Sequence, residues 1–291
     1  AIASKDTLLP IPEADWPFEI DSIMWRGDRI LEWDINGNQL WSWNSFDHFS
    51  LEDWDYSQIL HMIEFGSGFY DWTHSNAIWY DSVDDAIYLS VRNLSRITKI
   101  DYQSGNIIWN MGKQMPSGDV IVGNNLGFSG QHSIKVLDNG NLMMYDNGFG
   151  LDPIISRGLE ISVLETDTVP YAEIVSEYIL PTELSSGLMS DCDRLKNGNW
   201  LLTSTVGNYI VEAAANNDII WELLPDQDGS TFRAERIPSL YRHVFSVIKP
   251  DFFNGENGPT IEFPTEEIVL EYRIINDGWQ EETYLFNISS N

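Results

Sequence analysis

Apolar and polar residues alternate along this chain in runs of about five that end in clusters of Asn, Asp, Gly and Ser, as short half-buried strands do. No long stretch keeps a helical period, so the pattern predicts an all-β fold. It is clearest over 71–110, DWTHSNAIWYDSVDDAIYLSVRNLSRITKIDYQSGNIIWN. Four strands are expected there, at 76–81, 86–91, 97–101 and 106–110, rich in Ile, Tyr, Trp and Val and divided by Ser-Val-Asp-Asp and Gln-Ser-Gly turns. They make one antiparallel meander. A tight turn at 83–84 sets Arg92 within about one residue of Ser75, next to His74 and Asn76. A cation, an imidazole and an amide then converge at one end of the sheet.

The rest of the chain reads as repeats of this unit. Residues 1–18 hold three prolines and no strand period, which predicts an irregular lead-in. The runs 22–25, 29–34 and 39–43 look like the last three strands of a meander, and 44–68, with His48 and His61, is expected to be a long loop over one face. After a Gly-rich stretch at 111–130, a hairpin turning at Asn139-Gly140 and strands at 162–167 and 172–180 make a second set. A third runs from Asp191 through the Lys196-Asn197-Gly198-Asn199 turn to Leu202, then 209–213 and 219–223. LEWDINGNQLW, KIDYQSGNIIW and VEAAANNDIIW each place a Trp just past paired apolar positions at the end of a meander. Four-stranded units spaced by about 45 to 60 residues with a Trp in the outer strand predict a β-propeller, with three clear blades and two partial ones. The propeller is expected over 1–255, with or without further N-terminal blades, and 256–291 is expected either to close it or to start a small β-sandwich. Within that tail, 231–247, 268–274 and 282–288 are the strand-like segments.

Composition sharpens this picture. With 43% hydrophobic residues and 12 Trp in 291 residues, the chain can bury a substantial core. Its 45 acidic against 16 basic residues give a net charge of −29, a surface that repels nucleic acid and anionic membranes. Cys192, the single cysteine, lies in an expected strand and reads as a buried structural thiol. No signal peptide, transmembrane run or lipidation motif stands out, so membrane insertion is not expected, and a start at Ala1 fits a processed or a truncated protein, either of which would have lost an export signal. Asn93-Leu-Ser and Asn287-Ile-Ser match the glycosylation pattern, a short motif that arises often by chance.

Counted back from Asp81 and Asn139, His74 and His132 fall at equivalent points of successive units, with Ser190 at that point of the next. The first strand of each propeller blade lines the central channel, so the two imidazoles would face one another there beside Arg92 and Asn76. Neutral His is a nucleophile and a base, and Arg offers donors to the oxygens of a tetrahedral anion. That set suits transfer of an anionic group through a covalent imidazole intermediate. A metal site fits less well, because neither histidine has a ligand at short spacing, there is no second Cys, and Arg92 repels a cation.

Asp-Trp-Thr-His74-Ser-Asn76, Ser-Val-Arg92, Ile-Asp-Tyr-Gln-Ser-Gly-Asn-Ile-Ile-Trp109, Phe128-Ser-Gly-Gln-His132, Tyr-Asp146-Asn147-Gly148 and Arg194-Leu-Lys-Asn-Gly-Asn199 follow one another as in the aryl-sulfate sulfotransferase family, which most of 30–241 resembles. The resemblance implies a six-bladed propeller that moves a sulfuryl group from an aryl sulfate donor to a phenolic acceptor, with no cofactor. It implies that His132 is the nucleophile, transiently sulfated, and that His74, Asn76 and Arg92 bind and polarise the sulfate. Trp72 and Phe128 would flank the aromatic ring, and His48, in Trp-Ser-Trp-Asn-Ser-Phe-Asp-His, lies in a segment similar to the family's and joins the substrate contacts. It also implies a periplasmic or extracellular protein. The alternative is a non-catalytic extracellular propeller that holds a sulfated ligand or builds an assembly, its open sheet edge covered by a second copy or another chain. It draws on the absence of a counterpart to the family's earlier functional histidine, and on the acidic surface.

Overall fold

The computed structural model describes residues 1–11, 21–55, 68–122, 126–165, 170–224 and 230–237, and the backbone of Phe245–Ile248 and Arg273–Asn276. The chain divides into two compact units, Ala1–Ala234 and Glu235–Asn291.

Four sheets of four strands make up the first unit, and three short 3-10 turns are the only helical elements among the described residues. The first sheet holds β1 (Ile2–Pro10), β2 (Ser22–Trp33) and β3 (Gln39–Asn44), antiparallel in that order, with the two-residue β4 (Tyr70–Asp71) parallel against Trp25 and Arg26 of β2. The second is the meander β5 (Ser75–Asp81), β6 (Ala86–Val91), β7 (Arg96–Asp101) and β8 (Ile107–Gly112). The third is β9 (His132–Val136), β10 (Leu142–Asp146), β11 (Arg157–Leu164) and β12 (Tyr171–Ile179). The fourth is β13 (Asp191–Arg194), β14 (Trp200–Ser204), β15 (Tyr209–Ala213) and β16 (Ile219–Leu223). In the second unit β17 (Phe245–Ile248) pairs antiparallel with β18 (Arg273–Asn276), at the ends of the expected segments 231–247 and 268–274; the segment 282–288 lies outside the described residues.

Each core lies between two successive sheets, which is how propeller-like blades pack. Trp25, Ile30 and Trp43 of the first sheet meet Ile87, Leu89 and Val91 of the second. Tyr88, Ile97, Trp109 and Met111 on its other face meet Ile134, Leu142, Met144 and Ile161 of the third. Met143, Tyr145 and Tyr178 then meet Cys192, Trp200, Leu202 and Val211 of the fourth. Strands β6 and β10 are therefore buried on both faces, and this is why each carries four apolar residues in a row, 86–89 and 142–145. Burying each such side chain contributes about 1.5–3 kcal/mol before entropy is counted. Cys192 sits wholly inside the last core, and burial pushes its thiol pKa up, so it is a structural thiol.

The Asn-Gly-Asn turns repeat a contact as well as a sequence. Asn139 and Asn141 donate to Glu160 Oε1 at 3.1 and 2.7 Å, and Asn197 and Asn199 donate to Glu212 Oε1 at 3.2 and 2.7 Å. In both sheets the hairpin tip is thereby tied to the third strand.

Two expectations change. Within the expected lead-in over 1–18, Ile2–Pro10 is a nine-residue strand whose Pro10 pairs with Ser22 at the end of the ladder, and 12–18 lie outside the described residues. Pro10 falls at the last position of an edge strand, where a missing N–H leaves the ladder intact. The runs 22–25 and 29–34 are one strand, because Gly27 does not break it: a Cβ there would stand 2.5 Å from Ser45 Oγ and 2.7 Å from the Phe46 ring, so glycine allows close approach within a continuous β2.

Candidate active site

Arg92, His74 and His132 come together at one end of the second and third sheets. Ser75 pairs with Val91, and the Arg92 N–H reaches His74 O at 3.4 Å, as the short hairpin predicts. Arg92 then opens a three-residue 3-10 turn. Its guanidinium stacks over Phe149 at 4.7 Å and donates to Asn93 Oδ1 at 2.7 Å. Burial lowers its pKa, against the pull of Asp71.

His74 occupies a left-handed backbone conformation, φ +46°, that few non-glycine residues adopt. Buried Asp28 of β2 holds it there: its Oδ2 accepts from Thr73 Oγ1 and from Ser75 N, both at 2.6 Å. The ring faces solvent on one side and places Nδ1 2.5 Å from Asp71 Oδ2.

His132 opens β9 and is 5% exposed. Its strand is pinned to the second sheet by Gln131, whose carbonyl accepts from Asn76 Nδ2 at 2.8 Å and whose Nε2 donates to Arg96 O at 3.0 Å. Nδ1 of His132 faces Asn147 Oδ1 at 2.8 Å and Gly130 O at 3.1 Å. Burial pushes the pKa of this imidazole down to about 4, and the charges of Arg92 and His74 add to the fall while the Asn147 bond opposes it. The ring is therefore neutral across the physiological range, and the Arg92 guanidinium lies within electrostatic reach of it.

The register revises which residues are equivalent. His132 pairs with Tyr145 and Asp191 with Thr203, each partner the next-to-last residue of its strand. In the second sheet the next-to-last residue, Ser90, pairs with Ala77, and Asn76 bulges out between that pair and Ser75–Val91. His74 stands before the first ladder pair of its strand, and both it and Gly130 have positive φ. By register Ala77, with Asn76 bulged beside it, stands level with His132 and Asp191, and His74 and Ser190 lie outside that level. Asp191 is buried; it accepts from Ser133 Oγ and pairs with Lys135 and Arg233.

Three expected substrate contacts are elsewhere. Trp72 is fully buried: it packs edge-on against Trp25 and donates Nε1 to Asp53 O at 2.7 Å. Phe128 is buried in the core between the second and third sheets. Strands flanked by sheets on both faces bury aromatics that an alternating pattern cannot distinguish from a ligand wall. His48 stacks on Trp43 at 4.7 Å, and Trp43 Nε1 donates to Gly105 O in the β7–β8 turn, at the opposite end of the second sheet from Arg92. His61 lies outside the described residues.

Sequence pattern alone assigned no role to several residues here: Asp71, Asp28, Gln131 and Asn147. The motif Tyr145-Asp146-Asn147-Gly148 marked one of them. Asp146 accepts from Ser129 N, Gly148 N and Arg157 Nε at 2.9, 3.0 and 2.9 Å, which sets the turn that presents Asn147 to His132. Asn93 is buried with its amide bonded to Asp71 O and Arg92, so that glycosylation pattern is not accessible; Asn287 lies outside the described residues. Among the described residues no three His, Cys, Asp or Glu side chains cluster to hold a metal, and no helix is long and apolar enough to cross a membrane.

The arrangement pairs a neutral buried imidazole with a guanidinium and a carboxylate-held second imidazole, the parts needed to take an anionic group onto nitrogen. The family model for Arylsulfotransferase (ASST) matches residues 20–234. No curated protein matches the chain. Among solved structures, a protein of unknown function from Bacteroides caccae is similar at 14% identity and a TM-score of 0.40, over 68% of this chain and 54% of that one. A catalytically inactive virginiamycin B lyase from Staphylococcus aureus, solved with quinupristin, is similar at 16% identity and a TM-score of 0.34, over 53% of this chain and 42% of that one. The aligned parts thus span about half the length of those two proteins.

Proposed function

The chain belongs to the arylsulfotransferase (ASST) family, and from that premise we propose that it transfers a sulfuryl group from an aryl sulfate to a phenol through a sulfated His132. The observation that carries this reading is the state of His132: buried, neutral, and bonded through Nδ1, which leaves Nε2 as its reactive nitrogen.

In the first half-reaction the Nε2 lone pair attacks sulfur and the sulfur–oxygen bond to the aryl group breaks. The bond pair leaves with the phenolate. Arg92 holds the sulfonate oxygens and offsets the charge that gathers on them in the transition state. His74, held at Nδ1 by Asp71, acts as the general acid of this step and gives a proton from Nε2 to the departing oxygen. In the second half-reaction that same nitrogen takes the proton of the acceptor phenol, whose oxygen attacks sulfur and returns the lone pair to His132. Protons and charge balance over the cycle, and no nucleotide is consumed.

The same proposal reads the four sheets as consecutive blades of a propeller whose inner strands β5, β9 and β13 line a channel, in a protein that works in the periplasm or outside the cell. The test is incubation with a chromogenic aryl sulfate and a phenol, followed by intact mass and peptide mapping. Release of the chromogenic phenol with an acid-labile sulfate on His132, both lost in His132→Ala, is the expected result. A folded protein giving neither release nor adduct would refute the reaction and leave a propeller that binds or assembles.

A further inference from the structure

Resting on the proposed transfer through His132, we infer that Asn147 is a positioning residue that dictates which nitrogen of His132 carries the proton, and that its own orientation is set by the loop preceding β13. Asn147 Nδ2 donates to Ser186 O at 2.7 Å and to Met189 O at 2.9 Å. Carbonyl oxygens only accept, so the amide nitrogen must face them and the amide oxygen must face His132. A flipped amide would set its oxygen against both carbonyls.

His132 Nδ1 therefore meets two atoms that can only accept, Asn147 Oδ1 at 2.8 Å and Gly130 O at 3.1 Å. It must carry a hydrogen to bond either. A neutral imidazole has one N–H, so Nε2 holds the free lone pair. Asn147 and Ser186 are fully buried and His132 nearly so, and an unmet partner in such a place is costly. The backbone of the loop bends to bring both carbonyls to the amide. Met189 and Ser190 adopt positive φ, +51° and +83°, and Ser156 Oγ accepts from Ser186 N at 2.9 Å while its one hydrogen lies between Asn147 O and Ser186 O, 3.0 and 3.1 Å away, tying the two segments together.

The lock serves the reaction in both directions. When Nε2 forms its bond to sulfur the ring becomes a cation, and the Nδ1 hydrogen stays in place, donating to the same two oxygens, which stabilise that charge. When sulfur departs the pair returns to Nε2 and the ring is again neutral. Nothing is gained or lost at Nδ1. The opposite tautomer would present an N–H to the sulfur and could not attack.

The experiment is nitrogen NMR on protein labelled at its histidine imidazoles, a sparse spectrum because the chain has only 5 histidines, with His132 assigned by its loss in His132→Gln. At neutral pH the wild-type signal should report hydrogen on Nδ1 alone. Asn147→Leu should shift population to the Nε2–H form and lower kcat for transfer from para-nitrophenyl sulfate to phenol by about tenfold, with KM changed by less than about twofold. Asn147→Asp keeps an acceptor, so the Nδ1–H form should persist and ring protonation should move to higher pH. A wild-type ring protonated at Nε2, or a folded Asn147→Leu protein with an unchanged tautomer, overturns the inference. The wild-type spectrum decides it even if the variants do not fold. A locked ring in a protein that transfers no sulfate would instead refute the transfer and leave the lock standing.

Discussion

Asp71 Oδ2 lies 2.5 Å from Nδ1 of His74, on an exposed face where an ion pair adds little to stability. Its consequence is orientation: with Nδ1 engaged, Nε2 of His74 is the nitrogen free to exchange a proton with a phenol. Asp71→Ala should therefore leave stability within about 0.5 kcal/mol and lower turnover by about tenfold or more. The loss should be greatest for aryl sulfates whose phenols leave poorly, since these depend most on a proton. A series of substituted aryl sulfates measures this as a steeper dependence of rate on phenol acidity. An equal loss across the series would remove the acid role from His74.

The depressed pKa of His132, about 4 against 6.5 for an ordinary histidine, ties stability to pH. Between those values the unfolded chain binds a proton that the folded chain does not, so stability rises with pH through this window and is lost as pH falls toward 4. The shift corresponds to about 3 kcal/mol at most, reached above pH 6.5. Urea unfolding at several pH values should show His132→Gln losing less stability on acidification than wild type. The first half-reaction should keep its nucleophile down to the same low pH, the yield of sulfated His132 falling only near pH 4.

The strands and the site were legible to different degrees, for physical reasons. Strands β6 and β16 begin and end where the alternation and the turn residues say they should, 86–91 and 219–223. The convergence of His74 and Arg92 followed from hairpin register alone. The supposed equivalence of His74 and His132 did not survive, because Asp81 ends a strand by pairing with Ala86, whereas Asn139 is already in the turn. Trp72 and Phe128 misled because an aromatic facing a neighbouring sheet and one facing a ligand have the same period. Asn147 was visible only as part of a motif. Its role depends on Ser186 and Met189, about forty residues away in sequence, and no local pattern encodes that contact.

Gly148 gives a direct test of the turn that carries Asn147. Its φ is +62°, and an added Cβ would stand 2.2 Å from Ile155 O, a backbone atom that cannot swing aside. Gly148→Ala should cost about 2–4 kcal/mol, the strained φ and the clash adding together. Because Gly148 N also donates to Asp146 Oδ1, the displaced turn should carry Asn147 away from His132. Denaturant unfolding reads the first effect. Transfer per folded molecule reads the second, and should fall at least as far as in Asn147→Leu.

A buried ion pair supports Arg92 from beneath. Arg96 Nη2 and Asp53 Oδ2 are 2.6 Å apart with both side chains wholly buried, and Asp53 also accepts from Ser117 N and Oγ at 2.9 and 2.6 Å. Arg96 starts β7 directly after the turn that carries Arg92, so the pair anchors the far end of that turn. Its Nε and Nη1 are buried without a hydrogen-bond partner, and Asp53 is what offsets its charge. Asp53→Ala leaves the guanidinium uncompensated and should cost about 3–5 kcal/mol. Replacing both, Asp53→Ala with Arg96→Met, removes the stranded charge and should recover much of that loss, since an apolar side chain fits beside Phe49, whose ring centroid lies 5.3 Å from the Arg96 guanidinium. A double-mutant cycle by urea unfolding measures the coupling. If the double variant is no more stable than Asp53→Ala alone, packing and the Ser117 bonds hold this end of the turn, and the ion pair does not.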